Sequence, residues 1–245
     1  MTSDRVVMCM KFGTKFTADD VNVLYNAVKK NLNPPYRFVC LTNDKSEINA
    51  NVECFSIPEI GLDEWHWYNG VWPKLSVFLP NLFGLEGRCL FLDLNNMILD
   101  DLSPFFKEQR PFIGINYGSR VNILGTGVFS FDFGSQSQII EEFCSNRDKY
   151  VARYIVEQAF VQDFASSVEY WPSNWVLSFK RDLHHRNFTG LFLTPREIPN
   201  SAKIIKFHGK PVPRDLLRKG IWGRFPHLGW GKVDWIEQYY KTYSK

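Results

Sequence analysis

The residues best placed to do chemistry stand at the end of an apolar run. Arg88–Leu92 reads RCLFL and stops in Asp93-Leu94-Asn95-Asn96. A run this short, bounded by polar residues, fits a fully buried strand better than a helix. A carboxylate at the end of such a strand sits at the carboxyl edge of a sheet, where open α/β sheets bind ligands. Asp93 and Asn95 are two apart, so on extended backbone both face one way while Leu94 turns to the core. Two oxygen-bearing side chains on one face suit a hard cation, Mn2+ or Mg2+, held against a diphosphate. The same residues also fit a strand followed by an Asn-rich turn, and residue types alone leave both readings open.

The elements that must position this edge follow from the pattern on either side. Val6–Met10 reads as a buried strand, with Lys11–Phe16 as a loop after it. Thr17 and Asp20 form a capping-box variant ahead of a helix whose Val21, Leu24, Tyr25, Val28 and Leu32 share one face, and Asn33-Pro34-Pro35 stops it. Arg37–Thr42 and Val52–Ile57 read as further strands. Strand, helix, strand is a βαβ unit, which predicts a parallel sheet. The first strand of such a unit ends at the ligand edge, which places Lys11 near any nucleotide. Gly61–Gly70 reads as a polar-aromatic loop, and Trp72–Leu75 opens a short helix that ends at Pro80. Further on, the pattern predicts a helical segment around Phe105 and Phe106 and strands at Phe112–Tyr117 and Gly127–Phe131. It then predicts helices at Gln136–Asn146 and Arg153–Phe164 and strands at Trp175–Phe179 and Lys203–Phe207. No repeat or linker interrupts the chain. One domain spanning 1–245 is expected, with an irregular basic, aromatic tail from about residue 214.

Composition bounds the function classes. The 245 residues are 44% hydrophobic, enough for a sizeable core, and 16% aromatic, which serves either bulky packing or stacking on bases and sugars. A formal charge of +3 argues against a nucleic-acid binder. The charge is uneven: from Lys203 onward ten Lys or Arg face three Asp or Glu, a local +7 that leaves −4 on the rest. That end, with Trp222, Trp230, Trp235, Tyr239 and Tyr240, suits a phosphate-bearing ligand or peripheral contact with an anionic membrane. The five cysteines form no CxxC pair, and Cys9, Cys40 and Cys89 lie in apolar runs, so they read as buried thiols and not as a disulfide frame or zinc site. Neither a signal peptide nor a membrane-spanning run is apparent, and a cytoplasmic location is expected, with the tail as a membrane-associating element. His184, His185 and His227 read as surface residues. Trp65, Trp67 and Trp72 are candidates to line a sugar pocket, with at least two of them expected in the core instead.

The order of pieces carries a resemblance. FVCLTND (Phe38–Asp44), WPKLSVF (Trp72–Phe78), FLDLNNMILDDLSPFF (Phe91–Phe106), TGVFSF (Thr126–Phe131), EQAFV (Glu157–Val161), WPSNWVLSFK (Trp171–Lys180) and KFHGKPVP (Lys206–Pro213) span most of the chain. Together they resemble the nucleotide-sugar glycosyltransferases of the GT-A fold, bacterial type, similar to glycosyltransferase family eight. The resemblance implies an α/β, Rossmann-like domain with a mostly parallel central sheet. It implies hexosyl transfer from a nucleotide diphosphate sugar, UDP-linked, to a glycan or lipid-linked acceptor, with Mn2+ or Mg2+ as cofactor.

Residue by residue, the family's Asp-x-Asp is here Asp93-Leu94-Asn95, so the second carboxylate is an amide without charge. Asp93 matches the residue that reaches ribose and metal, and His208 matches the third metal ligand. Metal is therefore expected to bind weakly until a nucleotide brings its own charge. Lys210 and Lys74 match donor contacts, and each is otherwise an ordinary surface lysine. Glu157-Gln158 matches a pair that reaches the sugar site, with Ala159 where the family has a further acidic residue. Gly125-Thr126-Gly127 stands where the family often has Asn-Ala-Gly, which leaves Gly127 as a donor contact and removes an amide. The resemblance to family eight implies retention, for which no nucleophile is visible, and an inverting course would make Glu157 the base. The alternative reading is a glycosyltransferase-like protein that binds nucleotide sugar and has lost turnover with its second Asp.

Overall fold

The computed structural model describes residues 4–107 and 110–244. The chain opens with β1 (Arg5–Lys11), then α1 (Ala18–Asn31), whose Asp19 and Asp20 open it and whose Lys29 and Lys30 close it, charges that complement the helix dipole. β2 (Arg37–Thr42) and the short β3 (Glu53–Phe55) follow. The expected Gly61–Gly70 loop contains α2 (Glu64–Tyr68), nucleated by Asp63, whose Oδ1 accepts the His66 amide at 2.7 Å. A fully buried 3-10 helix, Trp72–Phe78, begins after Val71, which is held at φ +62°. Next come β4 (Arg88–Leu92), β5 (Asn96–Ile98), α3 (Pro104–Lys107), β6 (Phe112–Asn116) and β7 (Leu124–Asp132). After them stand α4 (Ser137–Ser145), α5 (Arg147–Arg153), α6 (Glu157–Phe164), β8 (Glu169–Tyr170) and β9 (Val176–Ser178). The chain ends through β10 (Ile204–Lys206), β11 (Ile221–Arg224), β12 (His227–Trp230) and α7 (Asp234–Tyr243).

Two compact units divide the chain. One takes the described residues within Met1–Ala18, Asn33–Asp93 and Ser103–Trp171, and the other those within Asp19–Leu32, Leu94–Leu102 and Pro172–Lys245.

The first unit is built on a seven-stranded sheet in the order β3-β2-β1-β4-β7-β6-β8. β3, β2, β1 and β4 run parallel, β7 is antiparallel to both β4 and β6, and β8 is parallel to β6. The mostly parallel sheet inferred from the βαβ pattern is present. All five residues of β4 are buried, as its continuous apolar run requires of a strand covered on both faces. Aromatic excess goes largely into this core. Phe78 packs on Phe112, Phe129 and Phe131, and Phe91 stacks on Phe129 at 4.9 Å. Each buried Phe contributes roughly 1.5–3 kcal/mol. The helix expected at Arg153–Phe164 is instead the end of α5, an extended break at Tyr154–Val156, and α6. Ile155 and Val156 are β-branched and Val156 takes extended backbone, while the Tyr154 hydroxyl donates to Asp163 at 2.6 Å across the break.

The second unit holds a three-stranded sheet, β5-β10-β9, in which β10 pairs antiparallel with β5 and parallel with β9. Its β5 replaces the later part of the turn read after Asn95. The tail is not irregular: a 3-10 helix at Pro213–Leu217, the β11–β12 hairpin and α7 account for it. Tyr239 accepts the Ile98 amide at 3.0 Å, and Asn26 of α1 donates to the Tyr243 carbonyl at 2.9 Å. Of the five tail aromatics, Trp222 and Tyr239 are buried, Trp235 and Tyr240 are half-buried, and Trp230 is exposed. His184 is also buried, against the surface placement expected of it. It stacks on Phe179 with ring centroids 5.7 Å apart. Among the described residues no helix is long and apolar enough to cross a membrane.

Candidate functional site

In the first unit, the carboxyl end of β4 meets a buried lysine. The 3-10 helix puts Lys74 on its inner face because the Gly70-Val71 turn is left-handed at both residues, φ +88° and +62°. Lys74 Nζ donates to Asp93 Oδ1 at 2.8 Å and to the Thr126 carbonyl at 3.2 Å, and it lies 3.4 Å from Glu157 Oε1. Thr126 Oγ1 donates to the same Glu157 oxygen at 2.6 Å. The Asp93 amide donates to the Gly127 carbonyl at 2.9 Å, tying the end of β4 to β7. Lys74 and Glu157 are almost wholly enclosed, whereas the Asp93 side chain is 26% exposed. Burial pulls the Lys74 pKa down, and Asp93 and Glu157 more than reverse this, so it stands raised and the ammonium keeps its charge. An ammonium held by two carboxyl groups, one of them open to solvent, forms a polar floor at the end of β4.

Four expected site residues, Lys74, Asp93, Gly127 and Glu157, are thus brought together. Gln158 follows Glu157 at the start of α6 and is partly exposed. Lys11 is the last residue of β1, not the first of a loop, and its Nζ donates to the Asp44 carbonyl at 2.9 Å, with Asp44 Oδ2 at 3.4 Å. Of the three tryptophans, Trp72 is buried, Trp67 packs partly buried against the core and Trp65 is exposed. Sequence reasoning missed the role of Thr126. Its place in a Gly-flanked strand opposite the Asp93 end was the available signal.

In the second unit, β5 and β10 bring Asn95 and His208 to neighbouring strand ends, where the Phe207 amide donates to the Asn95 carbonyl at 3.4 Å. Asn95 is 7% exposed, and its Oδ1 is buried with no hydrogen-bond partner among the described residues. His208 Nδ1 stands 3.4 Å from Ser178 Oγ. Burial, and then the positive charges of Lys180, Lys206 and Arg181, push the His208 pKa down to about 4, so the ring is neutral at pH 7 and able to ligate. Lys210 is exposed and held by Asp215 Oδ2 at 3.2 Å. Asp215 also accepts the Val212 amide and binds Arg218 at 3.0 Å.

No family model and no curated protein sequence matches this chain. Solved structures do. The chain is similar to the galactosyltransferase LgtC in complex with donor and acceptor sugar analogues, with a TM-score of 0.59, 13% identity, and 97% of this chain and 94% of that one covered. The glycosyltransferase GlyE of Streptococcus pneumoniae TIGR4 matches with a TM-score of 0.62 at 12% identity, over 97% of this chain and 60% of that one. The fold is GT-A-like. WbbM, a bifunctional glycosyltransferase, matches at a TM-score of 0.58 and 13% identity over 98% of this chain, which spans 52% of it. At such identities the likeness is one of fold, and the roles of single residues rest on the geometry above.

Proposed function

We propose that this protein is a glycosyltransferase, similar to family eight, that moves a hexose from a UDP-linked sugar to a glycan or glycolipid acceptor. The observation that carries the reading is the Lys74–Asp93–Glu157 cluster at the carboxyl end of the central strand of a GT-A-like sheet. On this reading Asp93, held by its amide and by one carboxylate oxygen, receives donor hydroxyls. Lys74 fixes its rotamer, and Glu157 with Thr126 fixes Lys74. Preorganised groups of this kind lose no freedom when the donor arrives. The departing diphosphate gathers negative charge, which a neighbouring cation offsets. Gln158, beside Glu157 and partly exposed, is assigned to the sugar.

The residues fit a divalent metal that arrives with an anionic ligand. Within the second unit, Asn95 offers a buried oxygen without a partner among the described residues, and His208 a neutral imidazole. Bound there, Mn2+ or Mg2+ would act as a Lewis acid on the diphosphate oxygens. Mn2+ is expected to bind the free protein weakly and the UDP-bound protein clearly, and calorimetric titration with and without UDP reads this out. Tight binding without UDP would remove Asn95 from the ligand set.

The second reading, nucleotide-sugar binding without turnover, is favoured by the neutral Asn95 and by the ion pair that occupies Asp93. Release of UDP from a panel of UDP-hexoses, with and without Mn2+, separates the two. Turnover in any arm supports transfer, whereas saturable UDP binding without release supports the binding protein.

A further inference from the structure

The second unit carries a cation with no hydrogen-bond or ion-pair partner among the described residues. Lys180 lies just past the end of β9, in the segment WVLSFK. It is half-buried, and it makes no hydrogen bond or ion pair among the described residues. Burial alone lowers its pKa, and no carboxylate among the described residues offsets its charge. A desolvated, unpaired ammonium costs stability and is retained where a ligand supplies the counter-charge.

Its surroundings point to that ligand. Gly209 has φ +61°, and a Cβ built there would stand 3.4 Å from Lys180 Nζ, so the ammonium lies against bare backbone. His208 precedes that glycine, and Lys180 leads the charges acting on its ring, followed by Lys206 and Arg181. Asn95, whose buried oxygen has no partner among the described residues, is joined to this strand end through the Phe207 amide. Lys210, by contrast, points its ammonium at Asp215, which it shares with Arg218 and the Val212 amide.

We propose that Lys180, and not Lys210, is the lysine that binds the diphosphate of the donor. This rests on the nucleotide-sugar reading above and adds a residue to it. Lys180 is a binding and positioning residue: a point charge on a flexible stem, seated where a phosphate oxygen reaches both it and the backbone beside Gly209.

The test uses the full chain and three probes, inorganic pyrophosphate, UDP and uridine, titrated calorimetrically at fixed salt. Lys180→Met keeps the stem and removes the charge. It should weaken pyrophosphate and UDP about tenfold or more, as expected for a lost charge-assisted hydrogen bond, and leave uridine unchanged. Lys180→Arg should recover part of the loss. Lys210→Met should change pyrophosphate affinity less than about threefold, since Lys210 already has a partner. Thermal unfolding checks the fold, and the Met variant should melt no lower than the wild type because it removes an unpaired desolvated charge. The proposal is overturned if Lys210→Met takes the larger loss, if Lys180→Met leaves pyrophosphate binding unchanged, or if the wild type binds no pyrophosphate. Lys180-dependent binding with no turnover of any UDP-hexose would sink the transferase reading and leave this one standing. Turnover that Lys180→Met does not slow would do the reverse.

Discussion

At the scale of single residues, charges that compensate one another inside the protein govern the behaviour. Removing Lys74 leaves Asp93 and Glu157 facing each other without the ammonium between them. Lys74→Met should therefore destabilise the fold by roughly 3–5 kcal/mol, as breaking a buried pair does. Adding Glu157→Gln should recover part of it. Urea unfolding of both variants measures this, and an unchanged midpoint in Lys74→Met would remove the lysine from its structural role. His184 gives a pH dependence. Burial, then His227, lowers its pKa from 6.5 to about 4. Above pH 6.5 neither state takes up the proton. As pH falls from 6.5 towards 4 the unfolded chain binds it and the native one does not, so stability drops, by about 3 kcal/mol for this group at the lower limit. His184→Phe, which keeps the ring stacked against Phe179, should flatten the stability–pH slope over that interval. Equal slopes in the two proteins would contradict the assignment. Nothing in the string RDLHHRN announces a buried ring, because its flanking charges are those of a surface segment.

At the scale of elements, the turn ahead of the 3-10 helix stores strain. A β-branched residue at φ +62° is disfavoured by about 1–2 kcal/mol. Val71→Asn should raise the unfolding free energy by about 1 kcal/mol, because Asn tolerates the left-handed region. A drop in stability would show that Val71 packs more than it strains. The turn is held from outside as well, by the Glu157 amide donating to the Gly70 carbonyl at 3.1 Å. Elements of this kind are hard to read from sequence. The strands β1, β2 and β4 are legible because burial on both faces writes itself as an apolar run. The turn at Val71 and the break between α5 and α6 are fixed by contacts distant in sequence, which no local pattern records. The same holds for β5, whose pairing with β10 comes from residues more than a hundred positions away.

At the scale of the whole chain, the sheet type and the aspartate at its edge are legible in the sequence, whereas the lysine that pairs with that aspartate and the groups that hold the lysine come from three separate segments, around residues 74, 126 and 157. The tail shows how far composition reaches. Its charge was legible, but most of its aromatics proved to be packing residues. The apolar side chains it does expose are Ile221, Phe225 and Trp230, beside exposed Arg218, Lys219, Arg224 and Lys232. If this end meets an anionic membrane, Phe225→Asp combined with Trp230→Ser should weaken binding to phosphatidylserine vesicles several-fold without moving UDP affinity. Unchanged vesicle binding would leave the tail as packing alone. The contrast between the two lysines extends to covalent chemistry. Lys74 is enclosed and ion-paired with its pKa raised, so its amine is unavailable to an electrophile, while Lys180 has no ion-pair partner among the described residues and its pKa is lowered. Active esters and aldehydes at neutral pH should therefore mark Lys180 and spare Lys74, pyrophosphate should protect the marked position, and peptide mass spectrometry would read both. That difference makes Lys180 an anchor for a targeted covalent probe.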